Sequence, residues 1–168
     1  DGAEEVLEPG TDYGAVMVTN KGTMILDLYE DLAPRTVNNF VFLARHRFYD
    51  GVVFHRVLED FMAQTGDPTA TGQGGSSLPD LKAEFNDLPH LRGAVSMART
   101  DEPNSANSQF FIMFADGSSL NGQYTVVGEV VSGMDVVDKL KKASAGSPGG
   151  AVTDPDKMVK VQVASDIK

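Results

Sequence analysis

Cysteine is absent from the 168-residue chain. That excludes disulfides, thiolate nucleophiles and thiolate metal ligation. No apolar run approaches the length a membrane span needs, so a membrane partner is not expected. Positive charge is scarce. Fourteen Lys and Arg against 24 Asp and Glu leave a formal charge of −10, the wrong sign for a nonspecific nucleic-acid surface. The three histidines, His46, His55 and His90, show no metal-ligand spacing, so no metal is expected. No serine sits in a Gly-x-Ser-x-Gly word, which argues against a serine hydrolase. Gly72-Gln73-Gly74-Gly75 lacks the lysine and helix start of a phosphate loop and reads as a flexible surface loop.

What is present suits one domain with a substantial core: 41% hydrophobic residues, no internal repeat and no dividing linker. An acidic extension is expected over 1–12 and the folded domain over 13–168. The extension has neither the basic start nor the apolar centre of a signal sequence. A start at Asp1 fits signal-peptide removal or a trimmed chain. Zero cysteines suit a reducing or an oxidising compartment, and a cytoplasmic location is weighed slightly above export.

Periodicity predicts strands at 15–19 and 23–29 around an Asn20-Lys21-Gly22 turn, then at 52–57, 61–64, 94–98, 109–114, 124–131 and 159–164. A helix is predicted from Pro34, with Asp31 a nearby cap and Val37, Phe40, Val41 and Ala44 as its buried face. A second is predicted around 134–142. Residues 67–79 and 143–156 read as loops. Many short strands with two helices fit a mainly β fold, a closed eight-stranded antiparallel barrel capped by two α-helices.

The most informative stretch is Phe54-His55-Arg56-Val57, followed by Asp60-Phe61-Met62-Ala63-Gln64-Thr65-Gly66-Asp67. Alternation puts Phe54 and Arg56 on one strand face and His55 on the other. The return strand brings the Gln64 amide beside the guanidinium. An arginine facing an apolar surface is costly unless its donors are held. Taken alone, Arg56 better fits a salt-bridged surface position, and Phe61, Met62 and Phe111 better fit a plain core.

These words, with Ser108-Gln109-Phe110-Phe111-Ile112, Pro34-Arg35-Thr36-Val37-Asn38-Asn39-Phe40, Phe48-Tyr49-Asp50-Gly51, Ser96-Met97-Ala98 and Val127-Gly128-Glu129-Val130, resemble the cyclophilin-type peptidyl-prolyl cis-trans isomerases over about 14–165. The likeness is to single-domain, bacterial-like members. It implies an eight-stranded barrel with a helix at each end and an enzyme that acts on proline-containing polypeptides, as a monomer and without a cofactor. Arg56 is then the catalytic residue. Phe61, Met62, Phe111 and Leu120 line the proline pocket, with Tyr124 where many members carry histidine. Gln64 orients Arg56, Gln109 bonds the peptide backbone, and Ala98 and Arg99 lie where the substrate main chain pairs.

The chemistry suits those residues. Rotation about X–Pro meets a barrier of ~18–20 kcal/mol from amide resonance. At the twisted transition state the prolyl nitrogen regains a lone pair, so a donor aimed there stabilises that state over the planar one. A guanidinium donates without titrating. Ser119 stands where many relatives have tryptophan, which weakens the expected binding of cyclosporin. Arg99, where asparagine is common, is expected to favour acidic flanking residues. The competing reading is a noncatalytic proline-peptide binder or holdase using the same groove.

Overall fold

In the computed structural model, which describes residues 2–167, eight strands form one antiparallel sheet. They are β1 (Gly14–Thr19), β2 (Gly22–Leu28), β3 (Arg56–Leu58), β4 (Met62–Thr65), β5 (Ala94–Met97), β6 (Phe110–Met113), β7 (Val126–Ser132) and β8 (Met158–Val163). Their order across the sheet is β3-β4-β6-β5-β7-β2-β1-β8. Two helices, α1 (Pro34–Arg45) and α2 (Met134–Asp138), pack on it. Asp1 of the expected extension and Lys168 of the expected domain lie outside the described residues.

The expected closed barrel is not formed: the sheet curls but stays open between β3 and β8. Those edges meet through an isolated Val53–Lys157 bridge and hydrogen bonds such as Met158 N–H to Val52 O at 2.8 Å and Phe54 N–H to Asp156 O at 2.8 Å. The 143–156 segment fills the rest, with Ala143 N–H on Val57 O at 2.9 Å and Val152 N–H on His55 O at 3.1 Å. This segment carries Pro148 and Pro155, which offer no N–H, and Gly149 and Gly150 at positive φ. Such residues interrupt a ladder and cannot complete a closing strand.

The strand carrying Arg56 also departs from expectation. Regular pairing begins only at Arg56, so the alternation from Val52 is broken. Phe54 is fully buried in the main core while Arg56 faces outward, so the two do not share a face. From Arg56 on, the pleat is regular. Val57, Ala63, Ile112 and Val95 form one cross-strand row directed into the core, all at 0% exposure.

Helix α1 starts at Pro34 and buries Val37, Phe40, Val41 and Ala44, as its spacing predicts. Asp31 does not cap it. Glu84 does so from a distant loop, accepting Thr36 N–H at 2.8 Å and Thr36 Oγ1 at 2.7 Å, and its negative charge suits the positive end of the helix. Helix α2 stops at Asp138, short of the predicted end, as Lys141 N–H turns away to Asp156 Oδ2 at 2.7 Å. The acidic extension docks on α1. Asn38 accepts Val6 N–H at 2.8 Å and donates to Glu4 O at 3.0 Å, while Val6 and Leu7 pack on the core. Among the described residues no helix is long and apolar enough to cross a membrane.

Candidate functional site

Strand register alone assembles the site. Arg56 pairs with Gln64, Gln64 with Phe111 and Phe111 with Ser96, a cross-strand row on the outer face of the sheet. One step along the same face, Leu58, Met62 and Met113 form the next row. Side chains two apart share a face, so a small second apolar cluster forms, separate from the main core. Met62, Ala94, Phe111 and Met113 are its buried members, and Leu58, Phe61, Ala98, Leu120 and Tyr124 pack around them.

This cluster floors a recess of about 200 Å³ lined by Arg56, Phe61, Met62, Gln64, Ala98, Arg99, Phe111, Leu120 and Tyr124. Those are the residues singled out in the sequence, Gln109 excepted. Gln109 lines a larger hollow of about 590 Å³ that shares Gln64, Ala98 and Arg99 with the recess. Phe111 is only 5% exposed and Met62 only 1%, so both serve packing and present just an edge to the opening.

Arg56 is held rather than neutralised. Its Nε donates to Gly149 O at 2.8 Å and its Nη1 to Gln64 Oε1 at 3.1 Å. Among the described residues no carboxylate forms an ion pair with it. The glutamines set the direction of the relay. Gln109 Nε2 donates to Gly72 O at 3.0 Å and Gly74 O at 2.9 Å, which leaves its oxygen for Gln64 Nε2 at 2.8 Å. Gln64 must then turn its own oxygen toward Arg56. The outcome is a fixed planar cation beside a recess with an apolar floor, suited to donating a hydrogen bond to a weakly basic atom brought into the recess.

Sequence reasoning missed the supports behind this row. The 67–74 loop is wound around Asp67, whose side chain accepts Thr69 N–H at 2.8 Å, Thr69 Oγ1 at 2.7 Å, Gly72 N–H at 2.6 Å and Gly74 N–H at 3.1 Å. Burial pushes the Asp67 carboxyl up, but these bonds outweigh it and hold it at about 2. Gly66 just before it, at φ 94°, lies where a Cβ would run into the Ser108 carbonyl. An aspartate followed by Thr, Thr and glycines is the signal that could have revealed the loop's design. His90 is the second support, 1% exposed, with Nδ1 3.2 Å from Asn121 Oδ1 and Nε2 3.0 Å from Ser96 Oγ. Its ring lies 6.2 Å from Phe111 and 6.3 Å from Tyr124. His55 is buried behind Arg56 and, among the described residues, finds no partner for either ring nitrogen. Burial lowers both imidazoles, so each is neutral at pH 7.

The model of the cyclophilin type peptidyl-prolyl cis-trans isomerase family matches residues 15–163. The chain belongs to that family. Its reaction is the isomerisation of peptidyl-prolyl bonds. Among its relatives, a probable peptidyl-prolyl cis-trans isomerase of Brucella suis is 52% identical, over 91% of this chain and 83% of that protein. The peptidyl-prolyl cis-trans isomerase-like 1 of Gibberella zeae is 41% identical, over 90% of this chain and 94% of its own. A crystal structure of a Cryptosporidium parvum cyclophilin superposes with a TM-score of 0.84 at 28% identity, covering 91% of this chain and 98% of that one. The same parasite protein has been solved in the presence of the dipeptide Ala-Pro. The curled, mainly β sheet described above is thus cyclophilin-like.

Proposed function

We propose that Arg56 is the group that accelerates rotation about the X–Pro bond and that the recess takes the proline ring. The observation that carries this reading is the guanidinium, fixed by Gly149 O and Gln64 Oε1, unpaired with any described carboxylate, at the edge of a recess with an apolar floor. At about 200 Å³ the opening suits one side chain rather than a drug-sized ligand, which needs roughly 300–1,000 Å³. With the ring seated on Phe61, Met62, Phe111 and Leu120, the prolyl nitrogen lies within reach of Arg56. The planar amide gives that donor little to bind. The twisted transition state gives it a lone pair, so the bond forms where it lowers the barrier.

Magnitudes limit what Arg56 does alone. One charge-assisted hydrogen bond contributes about 1.5–3 kcal/mol. An acceleration of about five orders of magnitude needs about 7 kcal/mol. Desolvation of the X–Pro amide in the recess and orientation by the neighbouring main chain at Ala98 and Arg99 contribute the remainder. Gln109 acts at a distance from the ring, holding Gln64 and offering the hollow beside it a polar wall.

The same reading sets partners and boundaries. Substrates are proline-containing polypeptides, an extension of the Ala-Pro dipeptide used with the Cryptosporidium parvum relative. The recess is complete within one chain, which supports a monomer. The charge of −10 offers nucleic acid no footing. We assign residues 13–168 to the isomerase domain and 1–12 to its extension. Cyclosporin binds more weakly than to relatives that carry tryptophan there, because Ser119, next to the lining residue Leu120, offers only an exposed hydroxymethyl. A coupled isomerisation assay on a short X–Pro peptide tests the core of this reading. Catalytic turnover is expected. Saturable binding without turnover would make the groove a proline-peptide binder instead.

A further inference from the structure

The guanidinium of Arg99 is bonded to two backbone carbonyls and laid over an aromatic ring. Its Nε donates to Gln123 O at 2.9 Å and its Nη1 to Thr100 O at 2.8 Å. Its carbon lies 4.7 Å from the centroid of the Tyr124 ring, so the planar cation covers one face of that ring. Tyr124 in turn meets Phe111 edge-on, with centroids 5.7 Å apart at 87°, and His90 at 6.3 Å and 76°. Arg99, Tyr124 and Phe111 therefore run as a continuous stack from the groove's rim to its floor.

The segment that carries Tyr124 is tied on either side of that residue, where Asn121 Oδ1 accepts His90 N–H at 2.7 Å and Thr125 O accepts Met97 N–H at 2.9 Å. Residues 121–123 are exposed and follow the short turn Ser118–Leu120, and β7 begins only at Val126. The bond from Arg99 to Gln123 O ties the residue just before Tyr124 to the end of β5. The contact with the ring sets that side chain's tilt. One side chain thus anchors both the backbone and the ring of the recess wall.

We propose that Arg99 is a positioning residue for the proline recess, clamping Tyr124 against Phe111, rather than a reader of acidic residues flanking the proline. The inference rests on the recess being the proline site. Lysine is the discriminating substitution. It keeps the charge, but it lacks the planar face and the fork of donors that a clamp requires.

The test is steady-state isomerisation of X–Pro peptides with neutral, Glu or Lys flanking residues, by wild type, Arg99→Lys, Arg99→Ala, Tyr124→Leu and the Arg99→Ala/Tyr124→Leu double variant. A cation–π contact and a surface hydrogen bond lead to an expected rise in KM of about three- to tenfold for Arg99→Ala. Arg99→Lys should be nearly as poor, all three peptides should be affected alike, and the loss should fall on KM rather than kcat. In the Tyr124→Leu background Arg99→Ala should have little further effect, as two members of one clamp are non-additive. The Tyr124 ring resonances, observed by NMR without substrate, should move in both Arg99 variants. Wild-type behaviour of Arg99→Lys, a loss confined to Glu-flanked peptides, additive losses in the double variant, or unmoved Tyr124 resonances would each overturn the proposal. If the wild type itself binds but does not turn over, the proline-site reading fails as catalysis. The resonances and the peptide-binding constants of the same variants still decide the role of Arg99.

Discussion

Replacing Asp67 with asparagine should loosen the 67–74 loop and, through it, the Arg56 relay. The carboxylate accepts from the backbone N–H of Thr69, Thr71, Gly72 and Gly74 and from the Thr69 hydroxyl. Asparagine keeps one acceptor and turns an NH₂ toward donors. The size of the effect follows from linkage. A carboxyl held at about 2 in the folded protein, against 3.8 ordinarily, contributes about 2.5 kcal/mol of stability at pH 7. Because the folded value is depressed, that contribution is full above the unfolded value and is lost as pH falls through the folded one. By pH 3 only about half of it remains. Urea unfolding of wild type and Asp67→Asn at pH 7, 5 and 3 measures it. The stability gap should be about equal at pH 7 and pH 5 and roughly halved at pH 3. Isomerase activity at pH 7 should also drop in the folded variant, because Gly72 O and Gly74 O no longer hold Gln109. Equal unfolding midpoints at pH 7, or a gap indifferent to pH, would refute the reasoning.

Three further outcomes are expected. Phe111→Ala should weaken peptide binding and turnover together and cost about 3–5 kcal/mol of stability; a melting curve first establishes that the variant is folded, and a folded, fully active variant would remove Phe111 from the recess lining. Activity should be flat from about pH 6 to 9, because guanidinium does not titrate there, whereas stability should fall as pH drops below the ordinary histidine value of 6.5, since His55 and His90 are buried neutral with lowered values; a bell-shaped rate profile centred near neutrality would contradict this. Ser119→Trp should raise cyclosporin affinity by about 1–3 kcal/mol in calorimetric titration, and equal affinities would show that position 119 does not reach the ligand.

The parts of the site legible in the sequence are those set by local pairing. Arg56 and Gln64 are eight residues apart in a tight antiparallel return, so a strand pattern and a turn suffice to bring them together. Met62 and Phe61 follow from the same return. Gly149 was not legible: it meets Arg56 across 93 residues, from a segment whose composition says only loop. Glu84 capping α1 across 48 residues is a similar case, since a glutamate in a loop announces no partner. The alternation around Phe54 misled because it assumes an unbroken pleat, and pairing there is reduced to a single bridge at Val53. Closure of the barrel failed to follow from strand count for a related reason. Eight strands permit closure, but the glycines and prolines of the 143–156 segment decide whether the last edge can be laddered.

Arg56 as the donor to the prolyl nitrogen is the central claim, and one comparison tests it most directly. The catalysed rate of an X–Pro peptide is measured for wild type, Arg56→Ala and Arg56→Lys, each shown to be folded by its melting curve, alongside the peptide's binding constant. Loss of one charge-assisted hydrogen bond made in the transition state, about 1.5–3 kcal/mol, corresponds to a fall of about ten- to 150-fold in kcat/KM for the alanine variant with binding little changed. The lysine variant should remain poor, because a single ammonium cannot be held by Gly149 O and Gln64 Oε1 at once while still facing the recess. An alanine variant that is folded and within threefold of wild-type kcat/KM would contradict the account.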